Sequence, residues 1–176
     1  MVYTGRQLPM VQLPGLDSVE QICWHEFLDC SMRLLAALDS RLNAVHGLTL
    51  TEVRLLDVLA TSRTGSVRKS ELCHALMMPP GRLAQIFRHL RPLGLVAQSA
   101  TPQDRRGILL SITDMGRARL AGVRKTLAEE VRTLFLDRMS HQQMLALIDG
   151  HLRITTPLRT SVDLVEASEA DLTACE

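Results

Sequence analysis

Apolar residues recur along most of this chain three and four positions apart, the spacing of one face of an α-helix. From Asp17 to Val45 they fall at Trp24, Leu28, Leu35, Leu38, Leu42 and Val45, with Ser31 in the same series, and a second stripe of Cys23, Phe27, Cys30 and Leu34 runs beside the first. A surface this wide predicts a helix that faces two neighbours, its own domain and a second subunit. Thr49 and Glu52 form an S/T-x-x-E capping box ahead of Val53, Leu55, Leu56, Val58 and Leu59, which predicts a second helix with Arg63 to Ser66 as its exit loop. Near the other end, Leu120, Val123, Leu127, Val131 and Leu134 predict a long helix from Asp114 to about Arg138. Ser140 and Gln143 make another capping box, opening a helix expected to end near Ile154.

The middle of the chain changes character. Ser70 to Met77 predicts a short helix, Pro79-Pro80-Gly81 breaks the chain, and Leu83, Ile86, Phe87 and Leu90 then mark one face of a further helix from Arg82 to Leu90. Its remaining surface holds Arg82, Gln85, Arg88 and His89. Arg and Gln can read guanine and adenine edges by paired hydrogen bonds, so such a face suits a DNA major groove. Gly94 is placed to close this helix, and two short strands are expected at Leu95 to Ser99 and Ile108 to Thr113. The polar loop between them, Ala100 to Gly107, buries nothing and carries Asp104, Arg105 and Arg106, a cationic tip suited to a polyanion.

Composition supports a helical protein with an aliphatic core, since 46% of the 176 residues are hydrophobic and only 3% aromatic. A net charge of +1 would argue against nucleic acid were it evenly spread. It is concentrated instead: Arg63 to Arg119 holds ten basic residues against three acids, so this section carries +7 and the rest −6. That asymmetry fits a DNA-binding face on an acidic body. Lys69, Ser70 and Arg91 are expected to hold phosphates, with Arg82, Gln85 and the tip arginines carrying selectivity. No apolar run is long enough for a membrane span, and the N-terminus lacks a basic segment followed by an apolar core, so a cytoplasmic protein is expected. Cys23, Cys30, Cys73 and Cys175 show no CxxC pairing and read as reduced thiols. Nothing points to a cofactor. Cys23, His25, Glu26 and Asp29 are explained by helical packing without a metal. The absence of HExxH, GxSxG or a glycine-rich phosphate loop argues against an enzyme.

With LTLTEVRLL (Leu48 to Leu56), KSELCHAL (Lys69 to Leu76), LGLV (Leu93 to Val96), PQDRRG (Pro102 to Gly107) and ITDMGRARL (Ile112 to Leu120), the chain resembles the MarR family of winged helix-turn-helix transcription regulators. The resemblance is continuous from about Leu48 to Leu120 and looser from Trp24 to Ile154. It implies a mainly α fold with a small β-hairpin wing, a recognition helix at Pro80 to Pro92, and a wing tip where Arg106 enters the minor groove with Asp104 orienting it. It departs at Pro79-Pro80-Gly81, where family members usually carry serines and threonines; two prolines remove two N–H groups that could hold phosphates.

The resemblance further implies a homodimer. Residues 1–16 are then an arm, 17–46 a dimerisation helix, 47–113 the DNA-binding domain, 114–154 further dimerisation helices and 155–176 an acidic extension. The expected function is repression at an inverted-repeat operator on double-stranded DNA. A small aromatic or lipophilic effector is expected near Trp24, His25, Phe27, Leu28 and Met32, where core packing is the competing explanation. Two alternatives stay open: a winged-helix protein-interaction module with weak or lost DNA binding, or a redox-sensing repressor using Cys23.

Overall fold

The computed structural model describes residues 12–101 and 104–173, with side chains described for 12–100 and 108–158. The expected arm up to residue 11, the wing-tip side chains of Asp104, Arg105 and Arg106, and Cys175 lie outside what is described. Among the described residues, six helices and three strands follow in order: α1 (Ser18–His46), α2 (Leu50–Thr61), β1 (Val67–Arg68), α3 (Lys69–Ala75), α4 (Pro80–Leu90), β2 (Val96–Thr101), β3 (Asp104–Ile112), α5 (Asp114–Leu134) and α6 (His141–Thr173), with a 3-10 turn at Leu136–Arg138. The chain divides into two compact units after Glu130.

Caps set the helix starts. Asp17 accepts from the amides of Val19 and Glu20, while the Asp17 amide donates to Glu20 Oε2 at 2.8 Å. Gly47, at φ 63°, ends α1 in the left-handed conformation that glycine adopts without steric cost. The Thr49/Glu52 and Ser140/Gln143 boxes are both closed, the amides of Thr49 and Ser140 donating to Glu52 Oε2 at 2.7 Å and Gln143 Oε1 at 2.8 Å.

The core of the first unit is aliphatic. Leu42, Leu48, Val53, Leu55, Leu56 and Leu59 meet Leu72 of α3, Leu83 and Leu90 of α4, and Leu120 and Val123 of α5, all of them essentially without solvent exposure. Each such side chain contributes about 1.5–3 kcal/mol through burial. The three strands form an antiparallel sheet in the order β1-β3-β2. Val67 and Arg68 of β1 pair with Leu110 and Leu109, and β2 runs from Val96 opposite Ile112 to Ala100 opposite Ile108, with a register shift before Thr101 meets Asp104.

Three expectations need correcting. Val67–Arg68, with no predicted element, is a strand, because two residues suffice to pair with β3 but leave no alternation in the sequence. The strands reach into the polar loop, to Thr101 and from Asp104, because backbone pairing needs no apolar side chains. The last helix does not end near Ile154 but continues through Pro157 to Thr173. Proline removes one hydrogen bond, yet Leu158, Leu164, Glu166, Ala167, Glu169 and Ala170 are good helix formers on its far side.

One junction fastens α4 to the sheet. Gly94, at φ 69°, turns the chain out of α4. Thr113 Oγ1 then donates to Gly94 O at 2.6 Å and accepts from the Gly116 amide at 3.0 Å, capping α5. Gly116 lies so close that a Cβ there would sit 2.2 Å from Leu95 O.

A candidate nucleic-acid interface

α3 and α4 are joined by a tight turn, and α4 is divided sharply by chemistry. Leu83, Ile86, Phe87 and Leu90 are buried, whereas Arg82, Gln85, Arg88 and His89 are exposed. Pro79 and Pro80 do more than break the chain: Pro79 is the N-cap and Pro80 the first helical residue, where a missing N–H costs no helical bond. The Pro79 carbonyl accepts from the amides of Arg82 at 3.0 Å and Leu83 at 3.2 Å.

The exposed polar residues are not independent. Arg82 Nη1 donates to Gln85 Oε1 at 3.3 Å. That contact engages the amide oxygen of Gln85, while its amide nitrogen can still donate. Arg88 and Arg91 meet Lys69, from the start of α3, around a cavity of about 200 Å³ between α4 and the sheet, floored by Phe87 and Ile108 and bordered by Gln98. Three cations around one opening suit a phosphate. Ser70 is exposed on the first turn of α3.

His89 differs from its neighbours. Its Nδ1 lies 2.6 Å from Glu52 Oε1, and the Glu52 side chain is 7% exposed against 52% for His89. The other carboxylate oxygen of Glu52 accepts from the Thr49 amide. One buried carboxylate therefore joins the first turn of α2 to the last turn of α4. Glu52 was legible in the sequence as a cap, but nothing local signalled its second partner, 37 positions away.

On α1, Trp24 and Phe27 are exposed with ring centroids 6.2 Å apart, Leu28 and Met32 are exposed, and His25 is half-buried. Cys23 and Cys30 are exposed free thiols, and Cys73 is a half-buried one. Among the described residues, no group of three or more His, Cys, Asp or Glu gathers where it could hold a metal ion. Among the same residues, no helix is long and apolar enough to cross a membrane.

No family model and no curated protein matches the chain. Solved structures do. AbsC, a MarR family transcriptional regulator from Streptomyces coelicolor, is 26% identical with a TM-score of 0.77, over 84% of this chain and 99% of that one. A second MarR family regulator from the same organism, solved in complex with DNA, is also 26% identical at a TM-score of 0.77, over 81% of this chain and 93% of its own. A probable transcriptional regulator from Pseudomonas aeruginosa is 25% identical at a TM-score of 0.66, over 78% and 99%. The order of helices, the divided α4, the three-stranded sheet and these likenesses agree: the chain has the winged-helix fold of the MarR family transcriptional regulators that it is similar to.

Proposed function

We propose that this protein is a homodimeric repressor that binds an inverted-repeat operator and is released by a small ligand. The observation that carries the reading is the division of α4, whose apolar residues are spent on the core while Arg82, Gln85 and Arg88 face outward beside Lys69 and Arg91. Lys69, Ser70, Arg88 and Arg91 hold phosphates, Arg82 and Gln85 face base edges, and Arg105 and Arg106 act from the wing with Asp104. His89 serves by positioning α4 through Glu52.

Exposed apolar side chains on α1 and, separately, on α6 support the dimer. A two-fold pair with recognition helices about 34 Å apart would meet successive major grooves, hence the inverted repeat. The aromatic pair Trp24 and Phe27 supports an aromatic or lipophilic effector beside α1. The test is a titration of the purified protein against DNA flanking its own gene, with a shuffled duplex as control. Tight binding to the native duplex alone supports specific regulation. Equally weak binding to both overturns the local operator.

A further inference from the structure

The turn that leads into α4 is apolar on its outside. Met78 packs against the core, but Met77 is 78% exposed, and its φ of 50° is a left-handed conformation that residues with a side chain seldom adopt. Two hydrogen bonds hold it there, from the Met77 amide to His74 O at 3.0 Å and from the Met78 amide to Cys73 O at 2.9 Å. Pro79 and Pro80 follow, both exposed and both without an N–H. With the amides of Arg82 and Leu83 turned to Pro79 O, this edge has little to offer a phosphate.

Yet the edge leads directly into the first turns of α4, where Arg82 and Gln85 are likewise exposed. The apolar group on base edges of the major groove is the thymine C5 methyl. We infer that Met77, Pro79 and Pro80 form a specificity edge that reads thymine methyl groups in the operator half-site. Arg82 and Gln85 read the neighbouring bases. Because Gln85 Oε1 is held by Arg82, the pair presents donors and selects acceptors such as guanine N7 and O6. The cations that continue the surface, Arg82 and Arg88, favour a polyanion over an apolar protein partner.

This inference rests on the DNA-binding reading, and its test separates the two. Full-length protein is used to select a binding site from a pool of randomised duplexes. Each thymine of the selected site is then replaced by deoxyuridine, which removes the methyl and leaves every base-pairing hydrogen bond. One or two thymines per half-site are expected to lose roughly fourfold in affinity each, the effect of one buried methyl-sized group. That loss should shrink in Met77→Asn and Pro80→Ser. Asparagine tolerates the left-handed conformation, so Met77→Asn keeps the turn, and a thermal melt checks both variants. Equal affinity of thymine and uracil duplexes in a tight, specific complex would overturn the methyl-reading edge and leave DNA binding intact. Recovery of no sequence at all from the pool would overturn both.

Discussion

α1 and α4 are both amphipathic in sequence, but they treat their apolar residues in opposite ways. α4 buries all four of Leu83, Ile86, Phe87 and Leu90 and shows the solvent arginine, glutamine and histidine. α1 buries only Leu38 and Leu42, and leaves Val19, Ile22, Trp24, Phe27, Leu28, Met32, Leu35 and Val45 exposed. A helix whose hydrophobic residues are all used within its own unit has a polar surface free for a charged partner. One that exposes this many large apolar side chains is incomplete alone, since single exposed residues are ordinary but long stripes mark interaction surfaces. α6, taken by itself, repeats the second pattern with Leu145, Ile148, Leu152, Ile154 and Leu158. The contrast is what supports the proposal that α4 faces DNA and α1 a second copy of the chain.

The sharpest way to break this contrast is to truncate one leucine on each helix. Leu90→Ala, at a fully buried position, should cost about 2–5 kcal/mol in denaturant unfolding. Leu28→Ala should leave the fold of a single subunit nearly unchanged and instead weaken self-association in sedimentation. Equal folding costs at the two sites would erase the distinction. Next in size is Gly116→Ala, which drives a methyl into Leu95 O and should destabilise by about 1–3 kcal/mol or more. Comparable loss is not expected for Gly122→Ala, where nothing lies within 4 Å, and thermal melts of the pair measure the difference.

Glu52→Ala comes third. It leaves the half-buried Thr49 amide without its acceptor, at about 1–3 kcal/mol, and by releasing the exposed His89 ring loosens the attachment of α4. DNA affinity should fall in this variant even at temperatures where circular dichroism shows it fully folded; unchanged affinity would reduce Glu52 to a cap.

The smallest effect concerns pH. His46 sits at the end of α1 with Nε2 2.9 Å from Thr126 Oγ1, and its pKa lies below the ordinary 6.5, chiefly through burial and then through the charges of Arg119 and Arg41. The folded chain thus resists a proton that the unfolded chain accepts. This contribution to stability is present above pH 6.5 and is lost as the pH falls below it. His46→Gln keeps a polar partner for Thr126 and should lose less stability than the parent between pH 7.5 and 5.5. A parallel decline would remove His46 from the pH response.

The helices were legible in the sequence because their signals are local. The period of Leu83, Ile86, Phe87 and Leu90 and the caps at Thr49 and Ser140 act within one or two turns. What stayed hidden depends on residues far apart in the chain. Glu52 reaches His89 across 37 positions, Gly116 is shaped by Leu95, and Val67–Arg68 is a strand only because β3 returns beside it. Pro157 misled in the other direction, since a strong breaker in sequence can be carried by helix formers on its far side. Of the candidate site, the outward face of α4 could be read from spacing alone. The meeting of Lys69 with Arg88 and Arg91 required the turn between α3 and α4.

The most direct test of the central claim is the salt dependence of DNA affinity, measured for the parent and for Lys69→Ala, Arg88→Ala and Arg91→Ala. If the α4 face holds phosphates, affinity for the operator duplex falls steeply as salt rises. Each substitution should then flatten the slope of log K against log salt by about one. A parent slope near zero, or variant slopes equal to a steep parent slope, would contradict the assignment of this face to DNA.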